Sequence, residues 1–191
     1  AVLAATITPS LAELRRVGAR NANLGGVDFS GEDLSAIDFT GADLSRAVLD
    51  GAVARSANFS SARLAGLRLG SATADDAVFD SADMTGADLR AAAWGRPKSA
   101  RNLVLAQAAA GGAVLGSSSG ALDMRGANLT GADLTGATLD GIDLSGGTLA
   151  DAFLSEASLQ KTVLDQAMLD RETLTLSRLN KASMRGARAH G

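Results

Sequence analysis

The sequence predicts an all-β solenoid, in which the chain turns a corner every five residues and stacks its coils as a parallel β-helix. Two observations carry this prediction: a large apolar residue returns at every fifth position, and a small residue, mostly Ala, stands two places before it. The composition agrees, because 46% of the 191 residues are hydrophobic but only 3% are aromatic, with 22 glycines. Such small, uniform side chains suit thin, closely stacked layers.

The repeat occupies two blocks, residues 22–94 and 122–189, with every large residue in phase. Those of the first block are Leu24, Phe29, Leu34, Phe39, Leu44, Leu49, Ala54, Phe59, Leu64, Leu69, Ala74, Phe79, Met84, Leu89 and Trp94. Those of the second are Met124, Leu129, Leu134, Leu139, Leu144, Leu149, Leu154, Leu159, Leu164, Leu169, Leu174, Leu179, Met184 and Ala189. Asp or Asn often separates the small residue from the large one, as in Asp43 and Asp133.

A period of five fits neither regular element. An α-helix would spread these leucines around its circumference, and a strand would turn alternate ones to opposite faces. A chain that bends every five residues places the large and the small residue of each unit inside and the Asp or Asn between them outside. The backbone groups then pair with the coils above and below, about 4.8 Å away.

The units Ala42-Asp43-Leu44, Ala87-Asp88-Leu89, Ala127-Asn128-Leu129 and Ala132-Asp133-Leu134 resemble the Ala-(Asp/Asn)-Leu-x-x motif of the pentapeptide-repeat family. The resemblance covers most of the chain. It implies the family's right-handed, quadrilateral parallel β-helix, with four pentapeptides per coil. The two blocks would then form about seven coils, a rod of roughly 34 Å at ~4.8 Å per coil.

Three segments depart from the motif within this single domain. Residues 8–18 predict a short helix that caps the first coil, with Thr8 or Ser10 at its start, a Ser10–Glu13 capping box and Gly18 after its end. Residues 95–121 lack the motif and are interpreted as an insertion that leaves the rod, with a short helix over 99–110 and a flexible return over 116–120. From residue 181 the motif persists, but its outward positions become basic.

Catalytic, cofactor and metal sites are not expected. The chain has no Cys, and its one His, His190, stands next to the last residue, where an oriented catalytic triad is rarely built. Successive outward carboxylates such as Asp28, Asp33 and Asp38 occupy successive sides of the rod and therefore diverge. The net charge of −3 argues against broad affinity for nucleic acid, and no apolar run is long enough to span a bilayer.

The candidate partner contacts are apolar residues at unusual places. Phe153, Val163 and Met168 stand at outward positions where the motif favours Asp, and the other four Phe residues stand at inward positions. An exposed patch around them marks a contact surface, the alternative being tolerated variation on a rod surface. Trp94 and Leu103 either anchor the 95–121 insertion or are presented by it to a partner.

These observations predict a non-enzymatic scaffold, an accessory subunit that offers its surface to proteins of a larger assembly, a membrane-bound one included. Resemblance alone suggests a photosynthetic setting, since the family is common in cyanobacteria and plastids. The start at Ala1 is compatible with a processed protein of a thylakoid lumen or similar compartment, and a bacterial cytoplasm is the alternative. The family also contains quinolone-resistance proteins that mimic DNA and bind gyrase, which gives the second hypothesis. A homodimer through the last coil, known in the family, is left open.

Overall fold

The computed structural model describes residues 10–90, 92–116 and 122–189; Ala1, Thr8 and His190 lie outside them. Its one helix, α1, spans Leu11–Val17. Ser10 and Glu13 form the predicted capping box, in which the Glu13 amide donates to Ser10 Oγ at 3.3 Å and the Ser10 amide to Glu13 Oε2 at 2.9 Å. Gly18 follows with a positive φ of 82°. Leu14 is buried, so α1 covers the first coil with its apolar face.

The rest of the described chain contains no extended strand; its β pairing consists of single-residue parallel bridges, most of them between positions 20 residues apart, as in Asn23 with Asp43. Two hydrogen bonds flank each bridge. The Leu24 amide donates to the Asp43 carbonyl at 2.7 Å, and the Asp43 amide donates to the Ala22 carbonyl at 2.9 Å. A turn every five residues and a coil every 20 give a four-sided parallel β-helix, which agrees with the predicted solenoid.

Each corner is a tight turn with the same backbone conformation. At the corner after Phe39, the Ala42 amide donates to the Phe39 carbonyl at 2.9 Å, and Gly41 has a φ of 68°. A positive φ at the third residue is typical of a type II turn. Ser61, one coil further on, adopts the same conformation with a φ of 56°. A side chain at Gly41 would collide with the carboxamide of Asn21.

The interior is one continuous column of the inward residues of both blocks. A ladder of rings runs along one side, because Phe39, Phe59 and Phe79 are stacked with centroids 5.0 Å apart. Trp94 continues the stack 4.9 Å from Phe79. Ala54 precedes Phe59 in the same coil, and both are buried, so small and large inward residues are combined within one layer.

Residues 99–116 are not an insertion, and the helix predicted over 99–110 is wrong. Val104 bridges Asp83 on one side and Asn128 on the other, and Val114 bridges Ala93 and Thr138 in the same way. The segment therefore supplies four further sides of the rod, beyond those of the two repeat blocks that gave the estimate of about seven coils. The Ala-rich composition favours a helix locally, but burial of these residues in the column prevails over propensity.

A change of phase hides this segment in the sequence. The inward residues are Ala100, Leu105, Ala110 and Leu115, each one position later than the phase of the first block. Bridged residues are 21 apart from Val78 to Ser99 and 24 apart from Val104 to Asn128. The one extra residue and the four extra residues together equal one repeat unit, so the two blocks remain in phase with each other.

The single extra residue is accommodated as a bulge at Lys98. The Lys98 amide donates to the Ala77 carbonyl, whereas the Phe79 amide donates to the carbonyl of Ser99. Two residues thus oppose Val78, which defines a β-bulge. The buried Pro97 takes the inward place, and Lys98 is exposed. The four other extra residues fall between Val114 and Asp123, where 117–121 lie outside the described residues.

Candidate interaction surface

The outward residues form four ladders, one on each side of the rod. We number the faces by the first and last bridged residues: face 1 from Asn23 to Arg188, face 2 from Asp28 to Thr173, face 3 from Asp33 to Arg178 and face 4 from Asp38 to Ser183. Each coil contributes one outward position to each face. Side chains on the same face are therefore about 4.8 Å apart along the rod.

Outward carboxylates support the corners of their own coil. Asp43 Oδ1 accepts the amide of Ser45 at 2.9 Å, and Asp28 Oδ1 accepts the amide and hydroxyl of Ser30 at 2.9 and 2.5 Å. The Ser30 hydroxyl, then its amide, lowers the pKa of Asp28 against the opposing effect of desolvation. These acids act as hydrogen-bond acceptors at turns, the role that Asp has in Asx turns.

A second arrangement appears where the outward residue is neither Asp nor Asn. Asp50 stands at a corner and accepts the amide of Gly70, one coil later, at 2.9 Å. The outward residue before that corner is Arg68, which cannot accept the bond. Asp140 accepts the Gln160 amide at 2.9 Å in the same way, beside outward Ser158. A carboxylate of the preceding coil thus substitutes for the missing one. This role of Asp50 and Asp140 was not predicted from the sequence, although the 20-residue spacing to Gly70 and Gln160 is a signal for it.

The charges are largely compensated between coils. Arg68 pairs with Asp50 at 2.6 Å, Arg101 with Asp80 at 3.0 Å and Arg171 with Asp151 at 2.7 Å. Residues 92–116 carry Arg96, Lys98 and Arg101 but no acidic residue. A continuous acidic face along the rod is therefore absent from the described residues.

The three outward apolar candidates do not form one flat patch. Phe153 is 53% exposed on face 2, Met168 is 48% exposed on face 1, and Val163 is half-buried on face 4. Faces 4, 1 and 2 are consecutive around the rod, so these side chains point in three directions. Phe153 stands on its ladder between Asp133 and Thr173, an apolar ring between two polar residues.

Trp94 and Leu103 are not surface residues. Both are fully buried in the column, Trp94 in the ring stack and Leu103 at an inward position of the coil 99–116. Neither side chain can contact a partner of the folded rod, so the prediction that they are presented to a partner is wrong, and with no insertion over 99–116 they anchor none. Leu103 was assigned to an insertion because the shift in phase concealed its inward place, whereas Trp94 was predicted to be inward as the last large residue of the first block.

The described residues offer little for chemistry on a substrate or for metal binding. Among them, no group of three His, Asp or Glu residues could hold a metal ion. Within 10–90, 92–116 and 122–189, no helix has the length and apolar character needed to cross a bilayer. The acids described above are committed to turn amides and to arginines.

The two ends of the rod differ. The first coil is covered by α1, whereas Leu176 and Met184 near the other end are 78% and 38% exposed. Arg178, Lys181, Arg185 and Arg188 are all exposed there. The last described coil thus combines apolar side chains with positive charge.

The match to a family model decides the identity. The model of pentapeptide repeats matches eight copies, over residues 12–53, 33–69, 57–92, 122–146 and 139–175. The chain belongs to the pentapeptide-repeat family. The matches leave out residues 93–121, the part in which this pentapeptide-repeat protein continues its rod in a shifted phase. Such proteins are generally non-enzymatic and act through protein interactions. Among curated proteins, none matches the sequence of this chain.

Solved structures of other pentapeptide-repeat proteins are similar to this one. QnrB1, a plasmid-mediated fluoroquinolone resistance protein, is 13% identical, with 88% of this chain and 89% of that chain covered and a TM-score of 0.45. HetL from the cyanobacterium Nostoc sp. strain PCC 7120, involved in heterocyst differentiation regulation, is 26% identical, with 94% of both chains covered and a TM-score of 0.41. A protein of the Arabidopsis thaliana thylakoid lumen is 22% identical, with 78% and 73% covered and a TM-score of 0.20.

Proposed function

We propose that this pentapeptide-repeat protein is a non-enzymatic scaffold, an accessory subunit that binds other proteins of a larger assembly through the faces of its rod. The observation that carries the proposal is Phe153, a ring 53% exposed on a rod whose other aromatic side chains lie in the interior. An exposed aromatic ring supplies a large apolar area that a partner can bury.

The rod supports this role through its rigidity. Amides and carbonyls on every side are bonded to the neighbouring coils, and outward acids such as Asp43 hold the corners. A surface ordered in this way loses little conformational entropy when a partner binds. The binding free energy then comes from the outward side chains, which vary while the frame remains constant.

The direct test is the native size of the protein in extract from its source, with mass spectrometry of the proteins that co-migrate. Migration with a large complex is expected and identifies the partner. Phe153→Ser should weaken that association at least tenfold without lowering the melting temperature. Val78→Ser, at a half-buried outward position of face 4, is the matched control and should bind normally. Migration of the wild type as a free protein of about 19 kDa would contradict the proposal.

The assembly is proposed to be a photosynthetic one, on the family's distribution. Fractionation of plastids or cyanobacterial cells tests this part separately. Recovery of the protein with lumenal or thylakoid complexes would support it. Recovery with a complex of another compartment would remove the photosynthetic setting and leave the scaffold role in place.

A DNA-mimic that binds gyrase is the second candidate, and the acidic outward residues Asp28, Asp33, Asp38 and Asp43 favour it. Asp38 is paired with Arg20 at 2.9 Å, however, and the acid-free segment 92–116 interrupts the negative charge. A supercoiling assay with purified gyrase distinguishes the candidates. Inhibition at micromolar protein would favour the mimic, and unchanged supercoiling would exclude it.

A further inference from the structure

Face 3 carries the longest uncharged strip among the four ladders. Six successive outward positions on it lack a charge: Val53, Thr73, Ala93, Val114, Thr138 and Ser158. Val114 is 45% exposed, and Ala93 is exposed as well. Each of the other faces is interrupted sooner, face 2 for example by Arg68, Asp88 and Asp133. Parallel bridges join Val53 to Thr73 at one end of the strip and join Ala93, Val114, Thr138 and Ser158 in sequence at the other.

Two charged side chains at the adjoining corner turn away from this strip. Asp50 and Arg90 stand between faces 2 and 3, yet both are directed to face 2. Asp50 pairs with Arg68 at 2.6 Å, and Arg90 donates twice to Asp88, at 2.9 and 2.6 Å. The charges of Asp50 and Arg90 are thus paired outside the strip.

Opposite charges stand at the two ends of the strip. Asp33 precedes it at the N-terminal end, and Arg178 follows it at the C-terminal end, seven coils or about 34 Å away at ~4.8 Å per coil. The Asp33 carboxylate is 61% exposed beside Arg15 at 3.3 Å. Arg178 is exposed, and its guanidinium makes no hydrogen bond or ion pair with any described residue. A ladder with an acid at one end and a base at the other complements its own reversed copy.

We propose that face 3 is the contact surface of a homodimer in which two rods pack antiparallel about a twofold axis. This alignment places Asp33 against Arg178 of the second copy, Thr73 against Thr138, and Ala93 against Val114. A parallel alignment would instead place Asp33 on Asp33 and Arg178 on Arg178. Self-complementary surfaces of this kind are the ones that twofold symmetry requires.

The proposal goes beyond the scaffold function and differs from association through the last coil. Face 3 lies on the flank of the rod, so Phe153 on face 2 remains accessible in the dimer. The strip is narrower than the surface of a standard interface, which buries about 800 Å² per partner. A weak dimer with a dissociation constant in the micromolar range is therefore expected.

Cross-linking tests the register. The chain has no Cys, so Thr73→Cys and Thr138→Cys each introduce a unique thiol. Facing sheets pack about 10 Å apart, and a short bismaleimide spans that gap. A mixture of the two variants should give cross-linked heterodimers. Either variant alone should not react with itself, because its two thiols would be offset by about 14 Å along the rod. Self-linked Thr73→Cys, or no cross-link in the mixture, would overturn the proposal.

Charge changes test the same register by sedimentation equilibrium. Arg178→Asp should weaken the dimer about three- to tenfold, and adding Asp33→Arg should restore it. Arg188→Asp on face 1 is the matched control and should have no effect. The alignment also brings Arg55 near Lys161 of the second copy at one edge of the face, so Lys161→Glu should strengthen association severalfold.

Folding and the alternative interface are checked with two more variants. Val114→Asp should abolish the dimer while the monomer keeps its melting temperature within a few degrees, since the position is outward. Met184→Glu, in the last described coil, should leave the dimer intact. Dimerisation that is lost in Met184→Glu but retained in Val114→Asp would assign association to the end of the rod and overturn the proposal.

Discussion

The indole of Trp94 lies on the ring of Phe79, with centroids 4.9 Å apart and planes inclined by 10°. The indole extends a stack to which each earlier coil contributes one Phe. In the next coil the corresponding inward residue is the small Ala100. One coil therefore supplies part of the core of the next. The same contact explains how the Ala-rich segment 99–116 can be interior without large residues at all of its inward positions.

Trp94 is expected to be a stability determinant. Trp94→Ala removes the end of the stack above the small Ala100 and should lower the free energy of unfolding by about 3–5 kcal/mol. Trp94→Phe should cost far less, about 1 kcal/mol, because the buried indole N–H has no hydrogen-bond partner among the described residues and its removal relieves a penalty of about 1–3 kcal/mol. Urea unfolding followed by circular dichroism measures both, with Val104→Ala as the outward control. Equal losses in the two Trp94 variants would contradict this account.

Inward and outward positions should respond oppositely to a charge. Leu134 and Leu144 are fully buried, so Leu134→Asp or Leu144→Asp places a carboxylate in a dry column and should unfold the rod. Thr148→Asp, at a half-buried outward position near Leu144, should change the melting temperature by only a few degrees. Thermal unfolding by circular dichroism provides the comparison. Unchanged melting of Leu144→Asp would refute the inward assignment.

The corner served by Asp50 can be rebuilt from a different side chain. Asp50→Ala leaves the Gly70 amide without its acceptor and should cost about 1–2 kcal/mol. Adding Arg68→Asn places an acceptor two residues before Gly70, as Asn58 does for Ser60 at 3.0 Å. Stability should then largely recover, although the Arg68–Asp50 ion pair is absent. A double-mutant cycle from urea unfolding measures the coupling between the two substitutions. No recovery of stability would mean that Asp50 stabilises the rod through its ion pair with Arg68 and not through its bond to the Gly70 amide.

Acid should destabilise the rod. The Ser45 hydroxyl, followed by the Ser45 amide, lowers the pKa of Asp43, and the Ser183 hydroxyl, followed by the Arg185 amide, lowers the pKa of Asp165. A carboxyl group whose pKa is lower in the folded state stabilises that state fully above its unfolded pKa of about 3.9, and this contribution is lost as the pH falls through the folded pKa. The melting temperature should therefore be level between about pH 7 and 5 and fall below about pH 4. Ser30→Ala removes the hydroxyl that donates to Asp28 at 2.5 Å and should reduce the fall, and a melting temperature that rises on acidification would exclude the mechanism.

The two repeat blocks were predictable because the period acts at every unit. Leu24, Leu64 and Leu144 recur in one phase, and only a chain that bends every five residues can bury them all. The capping helix was predictable for a similarly local reason, since Ser10 and Glu13 satisfy each other's backbone amides within four residues. The exposed position of Phe153 follows from its place in the repeat, and the structure agrees with it.

The position of residues 99–116 inside the rod was decided by tertiary structure alone. The bulge at Lys98 shifts the phase of the repeat by one residue, and four later residues restore it. Because the two blocks therefore remain in phase with each other, neither length change is visible when only the blocks are compared. The segment is interior because the bridges from Val104 and Val114 continue the ladders on both sides and because Trp94 fills the space above Phe79. The sequence by itself determined the five-residue bend, which is a local property, whereas stacking of neighbouring coils decided which residues share a face and which segment completes the core.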